Sequence, residues 1–295
     1  MAKITRRKLI KNTTFAAIAS ALYLNTPFRA FAQSNPTSKV ILIRDKDLLD
    51  GDDKIREDIL EQMLDKAMLS LTGESGSKEA WQQIFSPKDI VGVKTNGWWR
   101  LATPGELENV VKKKLMEVGV DESKISIKDR GVLDDEIFQN ATALINMRPM
   151  RTHNWSGVGS LLKNYIMFSP TPSSYHPDTC ADLAKLWELP VVKGKTKLNV
   201  LVMITPLFHG SGPHHFSSQY TWKYNGLLVG TDPVAVDSIG VQILKAKRKE
   251  YFGEDRPINP PPKHVELAET RHQLGVANPE KIDLICLGWQ DDILI

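Results

Sequence analysis

Short apolar runs alternate along most of this chain with segments in which apolar residues return every three or four positions. The runs are KVILIR from Lys39, DIVGVKT from Asp89, KISIKD from Lys124, ALINMR from Ala143, KLNVLVMI from Lys197, GLLVG from Gly226 and IDLICLG from Ile282. Their nearly continuous Val, Ile and Leu content predicts strands buried on both faces. Helices are predicted between them over Lys54 to Leu71, Pro104 to Val118, Ser156 to Phe168, Thr179 to Trp187, Pro233 to Lys249 and His264 to Leu274. This order predicts an α/β fold: a layered, largely parallel or mixed sheet flanked by helices. No composition break divides the pattern, so residues 33–295 are expected to form a single α/β domain.

The beginning of the chain follows a different pattern. TRRKLIK from Thr5 leads into the moderately apolar NTTFAAIASALYL and then RAFAQ, which closes a small-x-small site at Ala32. Paired arginines, a short apolar stretch and such a site make residues 1–32 a twin-arginine-type signal peptide. The apolar stretch is too short to span a bilayer, so no membrane anchor is expected after cleavage. The expected destination is the periplasm or the exterior, reached through the twin-arginine export machinery.

Charge changes its meaning once that segment is set apart. The chain carries 38 Lys and Arg against 35 Asp and Glu, and six of the basic residues but no acidic one lie in the first 32 positions. The remainder is slightly acidic, which argues against nucleic acid as a partner. Two cysteines, Cys180 and Cys286, lie far apart without C-x-x-C spacing. One disulfide between them is left open, and no iron-sulfur cluster bound by this chain is expected.

In parallel sheets, ligands sit beyond the carboxyl ends of the strands, so polar groups that follow an apolar run are the candidates. The run at Asp89 is followed by Lys94 and Asn96, with Trp98 and Trp99 beyond. The run at Ala143 is followed by Arg148, Arg151, Thr152 and His153. The helix after it carries Lys163 and Asn164 off the apolar stripe of Val158, Leu161, Leu162 and Tyr165. The run at Gly226 is followed by Thr231 and Asp232, and Asp237 lies among apolar neighbours in the second turn of the next helix. Asp232 before Pro233 is also what a helix cap needs. The HGSGPHH loop offers His209 and His214 as a weak metal pair, because His214 and His215 would face opposite ways if extended.

VGVKTN, RTHNWSGVGSLLKN, GSGP and GLLVGTDPVAVDSIG, in this order and spacing, resemble the bacterial and archaeal family catalogued as domain of unknown function 362. The similarity runs from about Lys39 to Trp289. The family's K-x-N motif falls on Lys94 and Asn96, its Lys/Arg-Thr-His motif on Arg151, Thr152 and His153, its Lys-Asn pair on Lys163 and Asn164, and its paired aspartates on Asp232 and Asp237. Relatives are often joined to ferredoxin-type iron-sulfur domains, which implies a redox partner as one alternative. Arg151 stands where lysine is common; it keeps the charge but is not a titrating base. The combined expectation is a crevice for a small anionic ligand. His153, Lys94 and Asp237 would carry catalysis; Asn96, Arg151, Thr152, Lys163, Asn164 and Asp232 would bind ligand, with a divalent metal as an open alternative. A periplasmic small-ligand binding protein, or a non-catalytic subunit of an exported redox complex, would use the same groups otherwise.

Overall fold

The computed structural model describes residues 38–210, 212 and 215–295. The signal peptide expected at residues 1–32 and the metal-ligand expectation for His214 therefore lie outside the described residues. The described residues form one compact unit.

Every predicted strand is present. β1 spans Ser38–Arg44, β2 Val91–Lys94, β3 Ile125–Lys128, β4 Ala143–His153, β6 Thr196–Leu207, β7 Gly226–Gly230 and β8 Ile282–Gly288, with a short β5, Gly157–Gly159, folded back on β4. The strands form one mixed sheet in the order β3-β2-β4-β6-β7-β1-β8. β2 is parallel to both β3 and β4, β4 is parallel to β6, and β1 is parallel to β8. β7 runs against both of its neighbours. The chain is thus an α/β protein in which the carboxyl ends of β2, β3, β4 and β6 share one edge.

The two faces of the sheet bury separate cores. Helices α1 (Glu57–Thr72), α2 (Ser77–Ile84) and α3 (Gly105–Glu117) cover one face with Leu60, Leu64, Trp81, Leu107 and Val111 against Val91, Ile145 and Val200. α1 and α3 match the predicted helices, and Gly73 in the left-handed region (φ 80°) ends α1, as an L side chain there would be strained. After the four-residue helix α4 (Glu136–Gln139) and β4, the other face is covered by residues 161–192, by α6 (Pro233–Phe252) and by α7 (Lys263–Thr270). Among the described residues, no helix is long and apolar enough to cross a membrane.

The predicted helix from Ser156 to Phe168 is not one element. Gly157 lies at φ 74° and starts β5, which pairs antiparallel with β4 (Arg151 opposite Gly159); only Leu161–Asn164, α5, is α-helical, and a 3₁₀ turn follows. Two glycines weaken a helix there by about 1 kcal/mol each, and the hairpin satisfies the same backbone groups. Val158, Leu161, Leu162 and Tyr165 are buried all the same. The predicted helix from Thr179 to Trp187 is likewise a set of 3₁₀ turns, entered through Asp178, Thr179 and Cys180, all at positive φ. Cys180 and Cys286 are both free thiols.

Candidate functional site

β4 is longer than the strand beside it. β2 ends at Lys94, opposite Asn146, so residues 147–153 of β4 continue past the end of β2, with β6 and β5 as their remaining partners. Strict alternation would send Arg148 and Arg151, three residues apart, to opposite faces. The β4–β6 register shifts between Pro149 and Arg151, and this returns Arg151 to the side of Arg148. Gly159 of β5 shows the result: a Cβ there would lie 2.9 Å from Arg148 Nη2 and 3.3 Å from Arg151 Nε, so both guanidinium groups reach one glycine. Gly157 is needed for a second reason, since a Cβ on it would meet the Pro260 carbonyl at 2.3 Å.

The overhang forms one wall of a cavity of about 400 Å³ lined by Asn96, Trp98, Trp99, Asp129, Arg130, Arg148, Arg151, His153, Trp155, Lys163, Asn164 and His176, among others. Four of these, Arg130, Arg148, Arg151 and Lys163, are basic side chains, and Asp129 is the one carboxylate. Asp129 is already committed. Burial opposes its ionisation, yet Lys94 Nζ at 3.0 Å and a backbone N–H from Gly97 hold its carboxyl below the usual range. Lys94 lies behind the wall, fully buried, and its ammonium also donates to the Thr95 carbonyl (2.5 Å) and to Asn164 Oδ1 (3.4 Å).

Asn164 ties three elements together. Its Nδ2 donates to the Lys94 carbonyl, Asn146 Oδ1 and the Met147 carbonyl at 2.9–3.2 Å, joining α5 to β2 and β4. Asn96 Oδ1 accepts from Arg151 Nη1 at 2.8 Å, and the same guanidinium lies 4.5 Å from the centre of the Trp98 ring. Lys163 Nζ donates to Cys180 Sγ at 3.3 Å. Sequence-distant Asn96, Arg151, His153, Lys163 and Asn164 thus line one crevice with Lys94 buried behind Asn164 and Asp129, whereas Thr152 is buried with its hydroxyl unpartnered and does not line the cavity.

Arg148 stands apart. It is 4 % exposed, and among the described residues its guanidinium makes no hydrogen bond; its Nε and that of Arg151 are both buried without a partner. Burial lowers the Arg148 pKa to about 10, an effect Asp129 and Asp237 partly offset, and burial also lowers that of Arg151. Burial brings both Lys94 and Lys163 to about 8. His153 is driven to about 2 by burial and then by Arg148, Lys163 and Arg151. Its Nδ1 accepts from the Trp155 N–H at 3.2 Å, so the neutral ring carries its proton on Nε2. An imidazole held below its ordinary value is neutral at neutral pH, and His153 there offers its Nε2–H as a hydrogen-bond donor.

Neither Asp232 nor Asp237 lines the crevice. β7 is the reversed strand, so the residues that follow it lie at the opposite edge of the sheet from the crevice. There Asp232 caps α6: its carboxylate accepts from Val234 N, Ala235 N, Val276 N and Ser38 Oγ. α6 then carries Asp237 back beneath α5. Fully buried, it accepts from Ser160 Oγ (2.6 Å), Leu161 N (2.9 Å) and Leu162 N (2.9 Å), holding from behind the turn that presents Lys163. Burial raises its pKa to about 6 despite those bonds. His209 Nδ1 lies 3.0 Å from Arg248 Nη1, beside a guanidinium and away from the crevice lining. No group of three or more His, Cys, Asp or Glu among the described residues is placed to hold a metal. The crevice itself, with one committed carboxylate among several cations, does not fit a divalent ion.

Sequence reasoning missed Asp129, which ends the KISIKD run and meets the same strand-end criterion as Lys94. It also passed over Trp155, and His176, whose ring lies 4.0 Å from that of Trp155. His176 comes from a Pro- and Ser-rich stretch that carries no chemical signal. His264 of α7 is buried near Lys163 and Arg148 with neither ring nitrogen partnered, and burial and those cations lower it to about 3.

Comparison with curated proteins and with solved structures gives no match. Residues 88–242, more than half of the chain and including every residue that lines the crevice, match the family described as Domain of unknown function (DUF362). The chain is therefore a member of the DUF362 family.

Proposed function

We propose that this protein is exported and binds a small anion in the β4 crevice, where it acts as an enzyme that exchanges a proton with the bound ligand through Lys163. The observation that carries the reading is the pair of buried guanidinium groups with unpartnered Nε atoms. A buried cation without a partner costs several kcal/mol, and proteins retain such groups where a ligand supplies the missing charge. Arg148 and Arg151 would take the anion, with the Nε2–H of His153 as a neutral donor beside them. Lys163 has its proton mobile near neutral pH, which suits acid–base work. Export rests on the TRRKLIK pattern; replacing Arg6 and Arg7 with Lys should leave the precursor in the cytoplasm on cell fractionation, and equal periplasmic yield would remove that part.

The binding reading is tested by calorimetric titration of the full chain with acetate and with inorganic phosphate. Binding that weakens at least roughly tenfold in Arg148→Met supports it, and no heat with either anion overturns it. The enzymatic part is tested by deuterium incorporation at the α-carbon of bound carboxylates that carry a C–H there, with Lys163 as the group that would remove and return that proton. Exchange lost in Lys163→Met supports it, whereas anion binding with no exchange would leave a binding protein.

A further inference from the structure

Above the cationic floor, the crevice changes character. Its upper wall is built from Trp98, Trp99, Trp155, Met167, Pro172 and the ring of His176. Trp99 is 72 % exposed, with the Arg100 guanidinium 3.6 Å from its ring centre, and Trp155 is 47 % exposed, so two large indoles stand partly in water at the mouth of this cationic cavity. Trp155 is braced by His176 at 4.0 Å, and Trp98 by the Arg151 guanidinium at 4.5 Å, so one wall ring stands directly on a floor cation. Flat indole faces arranged in this way recognise the faces of other flat groups.

A sugar ring would also stack on indole, but its hydroxyls need acceptors for their protons. Among the lining carboxylate and amide oxygens, Asn96 Oδ1 accepts from Arg151, Asn164 Oδ1 accepts from Lys94, and Asp129 is paired to Lys94. The tryptophans offer only N–H donors. The crevice therefore presents cations and donors below and aromatic faces above, with its carboxylate and amide oxygens each already engaged by a cation, and its size lies at the small end of the usual ~300–1,000 Å³ for small-molecule sites.

We infer that the ligand class is an aromatic acid, its carboxylate seated on Arg148 and Arg151 and its ring lying against Trp98 and Trp155. This rests on the anion-binding reading above and adds the body of the ligand to its charge.

The test is a titration series on the full chain with acetate, cyclohexanecarboxylate, benzoate and glucose 6-phosphate, followed by calorimetry and by tryptophan fluorescence. Benzoate is expected to bind at least roughly tenfold more tightly than acetate, as two aromatic contacts would give. It should also bind more tightly than cyclohexanecarboxylate and quench the indole emission. Trp155→Leu, at a half-exposed position where folding is checked by its circular dichroism melt, should lose most of the benzoate advantage. Equal affinity for acetate and benzoate would overturn the inference while leaving the anion site standing. Cyclohexanecarboxylate equal to benzoate, or glucose 6-phosphate tighter than benzoate, would overturn it too. Failure of every anion to bind would overturn both readings together.

Discussion

Removing the Asp237 carboxylate tests whether the crevice is held in shape from behind. Asp237→Ala deletes the acceptor of two backbone N–H groups, Leu161 and Leu162, and of the Ser160 hydroxyl, all in a fully buried place. The hydroxyl can turn to another partner; the two amides cannot. Each stranded donor costs about 1–3 kcal/mol, so the expected loss is about 4 kcal/mol, a fall in Tm of roughly 8–16 °C for a chain of this size. Asp237→Asn keeps one oxygen and strands one amide, for a loss of about 1–3 kcal/mol. The two variants also differ from the wild type in pH dependence. Burial places the carboxyl at about 6, above the usual carboxylate value of about 4, so the native state binds this proton more tightly than the unfolded chain. The stabilisation is fully present below pH ~4 and is lost as pH rises through about 6, amounting to roughly 3 kcal/mol. Circular dichroism melts at pH 4.5 and 7 should therefore show the gap between wild type and Asp237→Asn narrowing at the higher pH. An Asp237→Ala melt within about 2 °C of wild type would refute the argument, because the three bonds would then contribute nothing net.

Other outcomes follow from the same geometry. Arg148→Met, which replaces an unpartnered buried cation with an apolar chain of similar length, should raise Tm by a few degrees even as it weakens anion binding; a fall of more than about 2 kcal/mol in stability would mean that Arg148 has a structural partner. Acetate affinity should hold steady below pH 7 and fall as pH rises through about 8, where Lys163 and Lys94 lose their protons, and Lys163→Met should flatten that profile. Asn164→Ala strands acceptors on β2 and β4 and should lower the urea midpoint by the equivalent of about 2 kcal/mol without changing the m-value.

The sheet was legible because its strands are buried on both faces, and continuous runs such as KLNVLVMI have no other common explanation. β5 was not: three residues, two of them glycine, carry no periodicity. The stripe Val158, Leu161, Leu162 and Tyr165 marked burial correctly but not the backbone that achieves it, since a hairpin and a turn bury the same four side chains. The strand-end criterion brought out Lys94, Asn96, Arg151 and His153, and failed at Asp232, because nothing in GLLVG reveals that β7 runs backwards. Arg148 was visible as a strand residue, but its meeting with Arg151 depends on a register shift that sequence parity denies.

The contact between Gly157 and the Pro260–Pro262 backbone carries a practical consequence for anyone trimming the protein to its recognisable part. The family match stops at residue 242, yet the hairpin that orients both arginines is propped by the proline loop, and His264 of the following helix lies behind Lys163. A fragment cut near residue 242 would keep each lining residue and lose the buttress that aims them. The stretch that holds the crevice in shape is thus longer than the stretch that the family match covers.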